Sequence, residues 1–215
     1  MGLLRDEDAE QLAAAFAGLD HPVELLLFSQ QHECAMCRST RKIVEELAAL
    51  GGRVSAAVLD FVADAERAEA LGVDKVPAIV LLSGGRDSRL RFYGVPAGYE
   101  FSALIEDVLD IGRGAPDLPA MIADRASAIG EPVHLQVAVS PTCPYCAQAV
   151  RAAHKLALAA EKVRADMIEM SEFPHLAVKY GIKGVPHTVI NEQHAVVGAV
   201  AEHELLDEIL DAIGE

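Results

Sequence analysis

Apolar and polar positions along the chain fall into two similar series of elements. The stretches PVELLLFS (22–29) and PVHLQVAV (132–139) are largely apolar and begin with proline, which predicts buried strands. RVSAAVLDF (53–61) and VRADMIEM (163–170) predict second strands. Between the members of each pair, helices are expected over about 35–50 and 144–161, and short helices near 64–71 and 173–180. AIVLLS and HTVI then lead through a GG or NE turn into LRFYG or AVVGAV, which predicts a β-hairpin in each half. Helices over 6–17 and 117–129 open the halves, and helices over 99–111 and 202–213 close them. The order in each half is α-β-α-β-α-β-β-α. Strand-helix-strand alternation implies a parallel β-α-β unit, and the terminal hairpin adds antiparallel strands. GRGAPDLP (112–119), rich in Gly and Pro, is the candidate linker.

The two series are an internal repeat. Cys34 and Cys143 lie 109 residues apart, and so do Asp60 and Glu169, each ending a largely apolar stretch. LGVDKVPAIVL (71–81) and YGIKGVPHTVI (180–190) align at the same offset, Gly72 with Gly181 and Pro77 with Pro186. Each half therefore carries a C-x-x-C followed, 43 residues after its first cysteine, by the proline of a Val-Pro. We divide the 215 residues into units 1–113 and 114–215, each of ordinary domain size.

Composition narrows the function. Hydrophobic residues make up 52%, enough for packed cores. The formal net charge of −15, from 18 Lys+Arg against 33 Asp+Glu, argues against nucleic acid and against an anionic membrane surface. The opening MGLLRDEDAEQLAAAFAGL is too acidic and polar for a signal peptide, and no apolar run has transmembrane length, so a cytoplasmic protein is expected.

All four cysteines lie in two C-x-x-C pairs, Cys34/Cys37 and Cys143/Cys146. A secreted, disulfide-framed domain would be shorter and richer in cysteine. The spacing alone serves a metal site, a structural bridge or a redox centre. A shared four-cysteine zinc site would bring its knuckles within about 15–20 residues of each other, unlike the 109 seen here. A cluster-carrying glutaredoxin-like iron–sulfur dimer is a further alternative.

A C-x-x-C between first strand and helix, with a proline opening the third strand, resembles the thioredoxin fold. Two such units in tandem resemble the protein disulfide oxidoreductases, also called glutaredoxin-like proteins, of thermophilic archaea and bacteria. The likeness is strongest in RFYGVPAGYEFSALIEDVLD (91–110) and SPTCPYCAQAVRAAHK (140–155). The first motif, CAMC, departs from it, having neither the proline nor the aromatic of CPYC. The fold class implied is α/β, two tandem thioredoxin-like units, each a mixed β-sheet flanked by helices. The activity implied is a thiol–disulfide oxidoreductase that reduces, forms or isomerises protein disulfides through mixed-disulfide intermediates. Its partners would be disulfide-containing proteins and a thioredoxin-reductase-like electron donor, with no bound cofactor. The alternative is an electron-relay module for a peroxidase system, as in paired units fused to peroxidase-reducing flavoproteins, which usually keep one C-x-x-C.

A cysteine at a helix start meets unpaired N–H groups and the positive end of the helix dipole, which favour thiolate. Cys34 and Cys143 are accordingly expected to be exposed nucleophiles, and Cys37 and Cys146, one turn in, resolving thiols. Pro144 suits the first helical turn. Arg38 adds positive charge at the first motif and Glu33 opposes it. The resemblance implies cis bonds at Val76–Pro77 and Val185–Pro186, with the Val76 and Val185 backbone open to an extended substrate segment. Tyr145 is expected to shape the rim of the second site. Asp60 and Glu169 either relay protons to the resolving thiols or cap the next helix. His187 beside Pro186 and His154 in the second helix are candidate modulators, His154 more simply a partly buried or surface histidine. The two sites are expected to be unequal, the second the faster reductase.

Overall fold

The computed structural model describes residues 4–214. Its first half comprises α1 (Asp6–Ala17), β1 (Val23–Ser29), α2 (Cys37–Ala49), β2 (Val54–Asp60), α3 (Ala65–Ala70), β3 (Ala78–Ser83), β4 (Arg86–Tyr93) and α4 (Glu100–Arg113). The second comprises α5 (Ala120–Ser127), β5 (Val133–Val139), α6 (Cys146–Ala159), β6 (Val163–Glu169), α7 (Pro174–Lys179), β7 (His187–Ile190), β8 (His194–Val197) and α8 (Glu202–Ile213). The element order in each half is the one the sequence pattern predicts.

The halves share one sheet instead of holding one each. Its order is β2-β1-β3-β4-β6-β5-β7-β8. The join is parallel pairing of β4 with β6, Leu90 to Ala165 through Tyr93 to Ile168. β1 pairs parallel with β2, β5 pairs parallel with β6, and β3 and β7 run antiparallel to their neighbours. Strands β1 and β5 therefore point the same way, and both C-x-x-C pairs lie at one end of the sheet. Four strand steps separate β1 from β5, on the order of 20 Å at about 4.8 Å per step.

Strand alternation divides the core in two. Leu25, Leu27, Leu135, Val137 and Val139 point toward the layer of α1, α2, α4, α5, α6 and α8. Leu26, Phe28, Val80, Tyr93 and Ile168 point toward the short α3 and α7. In the first hairpin Gly84 and Gly85 have φ of 56° and 80°, which suits glycine and gives the tight turn that GG predicts. The Gly112 expected in a linker is instead helical. A side chain there would meet Leu19, and its carbonyl accepts the N–H groups of Asp20 and His21, so α4 presses on the α1–β1 loop. The helix stops only at Gly114, whose left-handed φ of 81° closes its C-terminus.

A polar seam joins the halves on the helix-rich face. Arg151 on α6 donates to Glu106 at 2.9 Å and to Asp107 and Asp110, all on α4. His154 Nδ1 lies 2.5 Å from the other Asp107 oxygen, and its ring meets Phe92 edge-on. Burial alone would lower the Arg151 pKa, but the surrounding carboxylates outweigh it and raise the pKa above its ordinary value. His154 is thus fully buried and bound across the seam, a different placement from the partly buried or surface one expected. On the opposite face Arg164 bridges Asp166 and the Tyr93 hydroxyl, at 2.9 Å to each.

Candidate active site

Each C-x-x-C is closed as a disulfide, with Cα–Cα separations of 5.4 Å in the first unit and 5.5 Å in the second. The helices begin about two residues later than the sequence implies, at Cys37 and Cys146. The reason is local: the Cys146 N–H bonds back to the Cys143 carbonyl, so the backbone makes a tight turn before true helical bonding starts. Pro144 therefore lies ahead of the helix and not within its first turn. The N-caps, Met36 and Tyr145, make no side-chain cap hydrogen bond, which leaves first-turn N–H groups of α2 and α6 without side-chain acceptors.

The two sulfur pairs differ in surroundings. Cys34 is half-buried and Cys143 only 9% exposed, so neither leading cysteine is as open as expected, and the second is the more covered. Cys37 and Cys146 are both buried. The Gln30 N–H donates to Cys37 Sγ at 3.4 Å, a bond that favours a thiolate there once the disulfide opens. Cys143 Sγ lies 3.7 Å from the Val185 carbonyl. A closed disulfide carries no proton, so this contact becomes a hydrogen bond only in the thiol form. An open groove of about 750 Å3 adjoins the first pair, lined by Cys34, Cys37, Arg38, Arg41, Val58 and Asp60 among others.

Both Val-Pro bonds are cis, at Val76–Pro77 and Val185–Pro186. The structure brings Val185 against Cys143, Pro77 and Pro186 are buried, and Val76 packs with the α3 core. Pro144 and Tyr145 are exposed, Tyr145 at 64%.

The strand-end acids hold turns. Asp60 accepts the N–H groups of Val62 and Ala63 at 3.0 and 2.9 Å. Glu169 accepts the Ser171 N–H and hydroxyl and the Glu172 N–H. Both acids thus hold the turn that leads into the next helix and cap neither helix, the N-caps of α3 and α7 being Asp64 and Phe173. His187 pairs with Ala138, and alternation along β7 turns it away from α6, because its neighbours Thr188 and Ile190 pair with Val137 and Leu135. Its buried Nε2 has no partner, and burial lowers its pKa.

One residue that sequence reasoning missed stands level with the start of α6, on the side of the second pair. Glu100 is 1% exposed, and neither carboxyl oxygen has a hydrogen-bond partner. Burial, with Glu169 nearby, pushes its pKa up to about 7. Its place follows from three contacts. Ser102 and Glu106 on α4 line one cleft with Ala147 and Arg151 on α6, so the helices run side by side and Glu100 stands level with the start of α6. A Cβ on Gly98 would clash with the Pro141 carbonyl, so the approach to α4 presses on the loop before Cys143. Glu169 ends β6, in register with Val139 just before that loop. The available signal was a polar residue on an apolar helical stripe, since Glu100, Ala103, Leu104, Asp107, Val108 and Ile111 follow helix spacing and are all buried.

Among the described residues no helix is long and apolar enough to cross a membrane, and no cluster of three or more His, Cys, Asp or Glu could hold a metal ion. The sheet keeps the two cysteine pairs on the order of 20 Å apart, too far for one shared ion.

Residues 133–211 match the Thioredoxin domain family. The NTD_N/C domain of alkyl hydroperoxide reductase AhpF from Enterococcus faecalis superposes with a TM-score of 0.88 at 25% identity, covering 96% of this chain and 99% of that one. A protein disulfide oxidoreductase from Aeropyrum pernix superposes equally well, at TM-score 0.88 and 27% identity, covering 97% and 93%. The alkyl hydroperoxide reductase AhpF of Pseudomonas putida is 24% identical over 93% of this chain and 36% of its own length. The chain spans about a third of the length of the curated relatives it matches.

Proposed function

We propose that this chain, a thiol–disulfide oxidoreductase built from two thioredoxin-fold units, reduces disulfides of protein clients at two separate centres, Cys34/Cys37 in unit 1–113 and Cys143/Cys146 in unit 114–215. The observation that carries the reading is the pair of closed C-x-x-C disulfides, each just ahead of a helix whose first-turn N–H groups lack side-chain acceptors. Cys34 and Cys143 are the attacking residues, and Cys37 and Cys146 the resolving ones. Val185 and Pro186, and Val76 and Pro77, border the place where a client segment lies. Tyr145 and Pro144 form the exposed rim of the second centre, and His187, Asp60 and Glu169 act on the fold around the cysteines.

The second centre works by two successive thiol–disulfide exchanges. The Cys143 thiolate attacks one client sulfur, the client S–S bond breaks, and the leaving thiolate takes a proton from solvent. The Cys146 thiol gives its proton to the Glu100 carboxylate, and its sulfur attacks Cys143. That closes the Cys143–Cys146 disulfide and releases the second client thiolate, so two electrons have passed to the client. A group with a pKa of about 7 is suited to this transfer, because it takes and returns a proton near neutral pH. An external dithiol, supplied by a thioredoxin-reductase-like donor in the cytoplasm, then restores the thiols.

A second reading, relay of electrons to a peroxidase, is supported by the likeness to alkyl hydroperoxide reductase. The test is reduction of insulin with dithiothreitol as donor, with Cys146→Ser used to trap client on Cys143. A trapped mixed disulfide supports the assigned roles. A purified protein holding stoichiometric zinc with no thiol exchange would overturn them.

A further inference from the structure

Strand β2 forms one edge of the shared sheet, while its repeat counterpart β6 is interior. The outer edge of β6 is filled by β4, which pairs with it in parallel over four residues. Among the described residues no strand pairs with the outer edge of β2. Strand addition requires free backbone groups, and the ladder between β1 and β2 identifies them. Val23 N–H donates to the Arg53 carbonyl and Phe61 N–H donates to the Ser29 carbonyl, each at 2.9 Å. In a parallel pair, alternate residues direct both backbone groups to the same neighbour. Residues 53, 55, 57, 59 and 61 therefore face β1, and Ala56 and Val58 present N–H and C=O outward. Asp60 also faces outward, but its N–H is taken by the Asp64 carboxylate at 2.8 Å.

This edge lacks the usual protection. Natural edges are guarded by charge, proline, bulges or a covering element. β2 reads VSAAVLD, with no proline and no charge before Asp60, and its register with β1 is unbroken over seven residues. The interior β6 reads VRADMIE and carries the charges. Ala56, Ala57, Val58 and Leu59 are half-exposed apolar residues on both faces of β2. The C-terminal end of this edge opens into the groove that holds Cys34 and Cys37, where Val58, Leu59 and Asp60 form one wall.

We propose that β2 is the strand on which the first centre receives its client. An extended, cysteine-bearing polypeptide segment, with apolar residues to match Ala57, Val58 and Leu59, adds to the free edge in the place that β4 takes on β6. Its disulfide is thereby carried past the end of β2 to Cys34. The Cys34 thiolate then displaces one client sulfur, which leaves as a thiol. Cys37 closes the Cys34–Cys37 disulfide and releases the other sulfur, so the client gains two electrons and two protons. The proposal rests on the redox role given above to Cys34 and Cys37.

The test uses full-length protein carrying Cys143→Ser and Cys146→Ser, so that only the first centre reacts. The probes are a twelve-residue Val/Thr-rich peptide with one cysteine as its glutathione mixed disulfide, and the small aromatic disulfide DTNB, which cannot pair as a strand. Ala56→Pro removes an outward N–H that the fold does not use, and edge positions tolerate proline. It should lower the peptide rate about tenfold and leave the DTNB rate within twofold. On unmodified β2, a peptide N-methylated at alternate residues should lose the same tenfold, which guards against a folding defect in the proline variant. A Ser-for-Cys peptide should slow amide hydrogen exchange at Ala56 and Val58 severalfold, independently of any thiol chemistry. Peptide and DTNB rates that fall together, an N-methylated peptide as good as its parent, or unchanged exchange would overturn strand addition. Protection of Ala56 and Val58 that grows with protein concentration, without peptide, would assign the edge to a second copy and overturn the client role. Failure of DTNB to react would refute the redox assignment and the client role with it, even where the exchange data show the peptide paired on β2.

Discussion

Cys34 and Cys143 hold equivalent places in two copies of one unit, yet their surroundings differ. Cys34 is half-exposed beside a groove of about 750 Å3, whereas Cys143 is 9% exposed and lies against the Val185 carbonyl. The cause is what packs on each active-site helix. α2 packs chiefly on its own strands β1 and β2, while α6 also packs on α4, α5 and α8. Through α4, the first unit covers the second unit's helix and delivers Glu100 to its start. A motif thus fixes which atoms can exchange electrons. The neighbouring unit fixes how buried they are and which ionisable groups stand near them. The first centre is arranged for access and the second for proton handling.

The hardest blow to this contrast falls on the seam. Arg151 is 8% exposed and satisfies Asp107 and Asp110, both buried. Arg151→Met leaves Asp107 with His154 as its partner and Asp110 with only the exposed Arg113, 4.0 Å away, and breaking such a buried group by removing one partner costs about 3–5 kcal/mol. The variant should unfold at lower denaturant and slow the second centre, with DTNB reduction by Cys34 unchanged under native conditions. Equal slowing of both centres would break the claim that the seam with α4 shapes the second centre more than the first.

Next in size is the division of labour in turnover. Cys143→Ser should remove most insulin reduction, at least about tenfold, because it deletes the attacking sulfur of the centre with the acid beside it. Cys34→Ser should cost less than about threefold with this folded client. A larger loss from Cys34→Ser would reverse the ranking of the two centres.

Glu100→Gln sharpens the same contrast. The amide cannot accept a proton, so resolution of the trapped client at Cys143 should slow about tenfold or more at pH 7.5. The rise in wild-type rate through about pH 7, where Glu100 becomes ionised, should flatten. Stopped-flow release of a fluorescent thiol from the mixed disulfide reads both. An unchanged profile would remove Glu100 from the proton path.

Much of this was legible in the sequence, for identifiable reasons. The repeat at offset 109 and the strand–C-x-x-C–helix order lie in local pattern and spacing, which a chain displays along its length, and the cis Val-Pro bonds are what the family resemblance carried by those motifs implies. The single sheet was not legible, because β4 finds β6 by edge pairing between residues about 75 apart, and nothing in LRFYG names its partner. The burial of Cys143 escaped for the same reason, since the covering helix belongs to the other unit. The helices start about two residues later than the pattern indicates, and CPYC looks helical until the backbone turn from Cys146 to Cys143 is seen. Glu100 and Asp107 stand out as polar places on an apolar stripe, but their surroundings across the seam do not show in the sequence.

The smallest effect expected is on stability, and it tests the burial of Glu100 apart from catalysis. Burial holds the folded-state pKa at about 7, above the ordinary value of 4.5. Below the ordinary value both states are protonated and the group adds no pH dependence. Between about 4.5 and 7 the unfolded chain releases its proton while the folded chain keeps it, so stability falls as pH rises. Above about 7 the folded protein carries an ionised, unpartnered carboxylate, and the loss is complete. A shift of this size corresponds to at most about 3 kcal/mol, and water reaching the carboxylate would lower it to about 1–2 kcal/mol. Glu100→Gln abolishes the titration but keeps a buried polar group without a partner, which costs about 1–3 kcal/mol at every pH. The measurement is therefore the difference between variant and wild type at pH 8 minus that at pH 5. The variant should gain about 1–3 kcal/mol on wild type between the two, read from urea midpoints at matched m-values. A difference that does not change with pH would place Glu100 in water in the folded protein and leave the second centre with no more protection than the first.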